Sequence, residues 1–146
     1  MRKSVIVKAF VAMAVVAVAA GCAGTQKGPT DQELVLSQIQ NFKAAILAKD
    51  VEKVFTYVSD SFYHPEAGDK AAAKELIKQG IDSGYTEDGQ VDLTKMEVKI
   101  DKDKATAYPI TASARPGSVT VGLTLKKEKT KAGLAWLITE INVEGI

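Results

Sequence analysis

Near Val91 the spacing of apolar residues changes, and that change most constrains what the chain can fold into. Upstream, Val35, Ile39, Phe42 and Ile46 recur three or four residues apart, which lines them up on one stripe of a helix. Downstream, Met96, Val98 and Ile100 alternate with Lys95, Glu97 and Lys99, which puts them on one face of a strand. A chain that reads first at period 3.6 and then at period 2 segregates its helices from its strands, the α+β class.

The helical half divides at its caps. Thr30 and Glu33 have capping-box spacing, so a first helix is predicted over about residues 31–48. Asp31 and Glu33 at its start, with Lys43 and Lys49 near its end, match the helix dipole. Asp50 caps a second helix with Val51, Val54, Phe55 and Val58 inward. Ser59-Asp60-Ser61 ends it, and Phe62-Tyr63-His64 reads as a short strand before Pro65. Asp69 caps a third helix, with residues 71–73, Leu76, Ile77 and Ile81 inward and Gly80 and Gly84 as stop signals.

The second half reads as a meander. After the strand ending at Ile100, residues 101–104 form a polar turn. Thr106, Tyr108, Ile110, Ala112 and Ala114 fall on one face of the next strand, where Pro109 implies an edge or a bulge. Arg115-Pro116-Gly117-Ser118 suits a type II turn. Val119, Val121, Leu123 and Leu125 alternate with polar residues or glycine. After a turn at residues 130–133, Leu134, Trp136 and Ile138 share the face of a last strand. Strands joined by such short turns pair antiparallel.

Ahead of this domain, Arg2, Lys3 and Lys8 precede an unbroken apolar run over residues 9–20. A spanning helix needs about 20 such residues, so the run is short for a membrane anchor. A basic start, a short apolar core and small residues at the end make a cleaved export signal. The run closes on Val18-Ala19-Ala20-Gly21-Cys22, which ends in the only cysteine of the chain. Ala20-Gly21-Cys22 resembles the lipobox of bacterial lipoproteins, although Ala19 stands where that motif most often has leucine. The resemblance implies cleavage between Gly21 and Cys22 and acylation of Cys22, and hence a lipid bilayer as partner. Residues 23–29, small and polar with Gly24, Gly28 and Pro29, read as flexible linker. The expected organisation is residues 1–21 as signal, 22–29 as tether and 30–146 as folded domain. Because Ala23 is not aspartate, lipoprotein sorting implies the outer membrane in a Gram-negative cell, and otherwise the outer face of the cell membrane. Either way the expected location is the cell envelope.

Without residues 1–21 the chain has 16 Lys plus Arg against 18 Asp plus Glu, and 125 residues, enough for one domain with a core. That balance gives no clustered positive field of the kind a nucleic-acid partner needs. Lysines 95, 99, 102, 104, 126, 127, 129 and 131 do gather on the sheet half. They read as a basic face for an anionic polymer or lipid headgroups, or more plainly as a solvated sheet face, since Glu97, Asp101, Asp103 and Glu128 interleave.

The order of three helices and then four antiparallel strands resembles the nuclear transport factor 2-like (NTF2-like) fold over residues 30–142. Residues 50–62, a short helix running into Ser-Asp-Ser-Phe, are similar to that fold's second helix and following strand. Trp136-Leu137-Ile138, after a turn holding Gly133, is similar to its closing strand. The resemblance implies a cone: three helices on a curved antiparallel sheet of four to five strands, around an apolar pocket. The expected lining comes from both halves, including Phe42, Ile46, Phe55, Val98, Tyr108 and Leu123. The fold carries dehydratases, isomerases and polyketide cyclases as well as binding and assembly domains, so it does not choose the function.

Candidate chemistry is sparse. His64 is the only histidine, and His-Pro-Glu reads as a solvated turn more readily than as an acid–base site. Asp60 is a candidate base at the pocket mouth, but Ser-Asp-Ser is also ordinary turn chemistry. Tyr57, Tyr63, Tyr85 and Tyr108 could each bring a hydroxyl to the pocket. One histidine and one acylated cysteine leave no zinc set, so neither a metal nor another cofactor is expected. No glycine-rich phosphate loop or Gly-x-Ser-x-Gly motif occurs. The leading expectation is a tethered, non-catalytic module that binds a small apolar ligand or an envelope protein. Its rivals are an isomerase, dehydratase or hydrolase on an apolar substrate, and an assembly domain that forms a homodimer through its open sheet face.

Overall fold

In the computed structural model, residues 28–145 are described. Helix α1 spans Asp31–Leu47, α2 spans Val51–Thr56 and α3 spans Lys70–Asp82. A two-residue-a-strand hairpin, β1 (Tyr63–His64) and β2 (Gly68–Asp69), sits between α2 and α3. The main sheet follows: β3 (Gln90–Asp92), β4 (Glu97–Asp101), β5 (Lys104–Ala114), β6 (Gly117–Thr130) and β7 (Gly133–Glu144). This is the α+β arrangement expected, with helices on an antiparallel sheet of five strands.

The caps act as their chemistry requires. Asp50 accepts from the Lys53 amide and Asp69 from the Ala72 amide, each satisfying a donor that the first turn leaves free. Helix α3 runs through Gly80 and stops at Asp82. There Gly84, at φ 79°, donates to Ile81 O while Tyr85 donates to Gly80 O, the paired closure of a Schellman motif. Lys43 and Lys49 stand near the end of α1, with Lys49 just beyond it in the left-handed region at φ 57°.

Helix α1 lies on the sheet and buries Val35, Ile39, Phe42 and Ala45. Facing them are Ala105, Ala107, Ile110, Leu123, Leu125, Trp136 and Ile138, all buried. Helix α3 packs against α2 and β2, and buries only Ala73. Leu76 is therefore exposed rather than inward, and Ile77 is half-buried.

The phase of β5 departs from simple alternation. Ala107 pairs with Leu123, but the next register pair is Ile110 with Val121, so β5 carries one extra residue at Tyr108-Pro109. This is the bulge that Pro109 implied, and it moves the inward set from odd to even positions. Ala105 and Ala107 face the core before it, Ile110 after it, and Thr106 and Tyr108 point outward. The bulge also divides the strand's other edge, where β4 pairs before it and β3 after it. A second bulge lies in β7, where Leu125 pairs with Ile138 and Thr124 with Glu140. The extra residue, Thr139, is buried and donates to Thr124 O. Beside it, Ile138 N donates to Tyr57 O and Ser59 N to Ile138 O, which ties the end of α2 to the sheet edge.

The turn between β5 and β6 is one residue earlier than expected. Ala114 pairs with Gly117, so Arg115 and Pro116 make the loop. Leu134 is not on the buried face with Trp136 and Ile138 but 72% exposed at the β6–β7 turn.

Candidate functional site

The C-terminal end of α1, the loop after α3 and the β5–β6 hairpin leave an open cleft of about 680 Å³ between them. Ile46 and Leu47 form its helical wall, Val91 and Ala112 its floor, and Pro116 and Val119 its far side. That size and apolar lining suit a small organic molecule. The floor continues into a separate cavity of about 60 Å³ under α1, bounded by Ile39, Phe42, Ile46, Val121 and Leu123. Ile46, Val91 and Ala112 belong to both. The inner space holds only a few atoms, so anything larger sits in the outer cleft.

The loop over residues 84–90 is held in place from both ends. Gly89 N donates to Thr86 O, and Arg115 N donates to Glu87 O. The Arg115 guanidinium also pairs with the Glu87 carboxylate at 3.3 Å. A Cβ on Gly89 would meet Thr86 O at 2.9 Å, so only glycine lets the loop close this tightly. Inside this loop, Thr86 lines the cleft, and its Oγ1 is buried and has no hydrogen-bond partner. A buried hydroxyl left unpaired costs about 1–3 kcal/mol, which is why such groups are rare and informative. Sequence reasoning missed Thr86, because a threonine between tyrosine and glutamate in a polar loop carries no pattern.

Of the expected lining residues, Phe42, Ile46 and Leu123 border the cavity. Phe55 is buried in the core elsewhere, and Val98 packs against the core without reaching either space. Tyr108 is corrected to the outer face: it is 49% exposed, and its hydroxyl donates to Glu144 at 3.2 Å. That bond and the neighbouring carboxylate charge push the Tyr108 phenol above its ordinary range. Its ring lies over Gly122, where a Cβ would stand 3.3 Å from Tyr108 Cδ2. Tyr63 is on the β1–β2 hairpin, while Tyr85 does line the cleft, with an exposed ring.

Asp60 and His64 lie away from the cleft and do not meet each other. The Asp60 side chain is 99% exposed and pairs with Lys70 at 3.0 Å. His64 Nδ1 accepts from the amides of Glu66 and Ala67, so it caps the β1–β2 turn as an acceptor. The charged residues that border the cleft are Lys49 and Asp88. Among the described residues, no cluster of three or more His, Cys, Asp or Glu side chains could hold a metal. Cys22 and Gly21 lie outside the described residues.

No family model matches the sequence, and no curated protein matches it. Solved structures do match its fold. An NTF2-like protein of unknown function from Pseudomonas putida aligns with a TM-score of 0.61 at 11% identity, over 82% of this chain and 90% of that one. A candidate dehydratase of the NTF2-like family from Streptomyces avermitilis aligns at 0.58 and 16% identity, over 80% and 97%. The CaMKII hub of S. rosetta aligns at 0.61 and 18% identity, over 84% and 100%. The domain therefore has the NTF2-like fold. At these identities the likeness is one of architecture alone.

Proposed function

We propose that this chain is a lipid-anchored protein of the cell envelope, held by an acylated Cys22, whose domain binds a small apolar ligand without transforming it. The tethered organisation follows from the lipobox-like Ala20-Gly21-Cys22 after a short apolar run. By the same resemblance, Ala23 directs the protein to the outer membrane where one exists.

The observation that carries the binding reading is the cleft. Its apolar walls come from both halves of the fold, and Thr86, which lines it, carries a buried hydroxyl without a partner. Such a site orients a ligand by a hydrogen bond and holds it by burial. The two acid–base candidates do not converge there, since Asp60 pairs with Lys70 in solvent and His64 closes a turn. The ligand is accordingly an apolar molecule with one polar group that reaches Thr86 Oγ1.

Two measurements test the proposal. Labelling with a palmitate analogue should mark the wild type and not Cys22→Ser, and equal labelling of both would end the anchored reading. An environment-sensitive apolar dye should bind the acylated protein in detergent and lose most of its signal in Leu47→Asp, which puts a charge in the cleft wall.

A further inference from the structure

We infer that the lysine-rich end of the sheet docks on the anionic phospholipid headgroups of the bilayer that carries the anchor, so that the cleft opens away from the membrane. This rests on the anchored reading above.

The point where the chain enters the domain is set by Asp31, the first residue of α1. Its Oδ1 lies 2.7 Å from Lys127 Nζ and 3.2 Å from Trp136 Nε1, which pins it beside the β6–β7 hairpin. That end of the sheet is where the exposed lysines gather. Lys126 lies directly opposite Lys104 across the ladder, Lys129 lies near the end of β6, and Lys131 is in the turn that follows. Lys127 N donates to Asp103 O, which brings Lys102 of the β4–β5 turn to the same end. Lys102, Lys104, Lys126, Lys129 and Lys131 are all exposed, and among the described residues none of them forms a salt bridge.

The local acids offset only part of this charge. Asp101 and Asp103 stand beside Lys102 and Lys104. Asp31 is taken up by Lys127, and Glu128 is turned to Ser59 and Ser61, whose hydroxyls donate to it. Two like charges placed directly opposite on neighbouring strands weaken a sheet, so Lys104 and Lys126 do not serve the fold. Beyond them, Leu134 stands 72% exposed at the turn. Cations flanking an exposed apolar side chain suit the boundary between phosphate headgroups and acyl chains.

The tether sets the distance. Residues 22–29, even fully extended, reach about 28 Å, so the entry end stays close to the headgroups. The cleft is at the other end of α1, on Ile46 and Leu47. A 17-residue helix separates the two ends by about 25 Å. Docking at the lysine end therefore turns the cleft mouth away from the bilayer.

The test uses acylated protein reconstituted into vesicles of phosphatidylcholine alone, or of phosphatidylcholine mixed with phosphatidylglycerol. Each lysine is labelled with an amine-reactive reagent and read by mass spectrometry. Lys126, Lys129 and Lys131 should react several-fold more slowly on the anionic vesicles, an effect that salt reverses, while Lys49 at the cleft should not change. Replacing Lys126, Lys129 and Lys131 with glutamate should abolish the slowing of Lys102 and Lys104. Equal rates on both vesicles, or equal slowing of Lys49, would overturn the proposal. So would protection by a soluble polyphosphate and not by the anionic vesicles, which would assign the lysines to a polymer. The two readings fail separately: no acyl mass on Cys22 ends the anchor, whereas an acylated protein with uniform rates ends the docking.

Discussion

Trp136 Nε1 donates to Asp31 Oδ1 at 3.2 Å, joining the first residue of the first helix to the last strand. Lys127 completes the contact. Its Nζ pairs with the same oxygen at 2.7 Å and stands 5.3 Å from the centre of the indole ring. The indole is buried, so its N–H needs a partner, and Asp31 supplies one at the edge of the core. One carboxylate thus orients the helix on the sheet and satisfies the largest side chain of the core.

Trp136→Ala should cost about 3–5 kcal/mol, the range for truncating a buried large aromatic. Against a total of about 5–15 kcal/mol, the melting temperature should fall sharply. Trp136→Phe keeps most of the volume and loses the donor, so its loss should be clearly smaller. Equal losses in both variants would place the energy in the hydrogen bond instead of the packing.

The same contact sets a pH dependence. The Lys127 ammonium holds the Asp31 carboxyl below the usual carboxylate range, helped by the Trp136 N–H. Asp92 is also lowered, first by the Thr94 amide. In both, folding favours the charged form. Their stabilisation is therefore present above the unfolded carboxylate pKa and is lost as pH falls through the lowered folded value. The denaturant midpoint should stay level down to about pH 5 and then drop, and Asp31→Asn should lessen the drop. A midpoint that rises on acidification would contradict this sign.

Much of the fold was legible because it rests on periodicity and caps. The α1 stripe, the Asp50 and Asp69 caps and the alternation of Met96, Val98 and Ile100 act as read. What escaped the reading depends on one-residue events. The extra residue at Tyr108-Pro109 reverses which side chains face the core, so Tyr108 leaves the pocket and Ala107 enters the core. Pro109 announced a bulge but not its consequence for phase. Leu76 and Leu134 are apolar residues at inward-looking positions that are exposed among the described residues, which no local pattern records. The cleft itself was the least legible part, because its walls come from a helix end, a loop and a hairpin far apart in sequence. Ser59 was read as a helix breaker, yet it is buried and donates to Glu128 across the sheet.

Asp60→Asn and His64→Ala should leave dye binding within about twofold, since both sit outside the cleft and surface changes cost little. Asp60→Asn removes an exposed pair with Lys70, worth at most about 1 kcal/mol in general. A large loss of binding in either variant would return the acid–base reading to first place.

Thr86→Val separates the two tasks a buried hydroxyl can have. Valine matches threonine in shape and lacks the oxygen. In the free protein Thr86 Oγ1 is buried without a partner, so removing it should leave the melting temperature unchanged or slightly raised. A ligand whose polar group bonds that oxygen should bind more weakly by about 0.5–1.5 kcal/mol, roughly two- to tenfold in Kd. A purely apolar dye, which makes no such bond, should bind both forms alike. The informative result is the opposite sign of the two effects: the free fold gains or holds while the polar ligand loses. If the variant instead melts several degrees lower without ligand, Thr86 is a structural group with a partner in solution, and the cleft has lost its orienting hydroxyl.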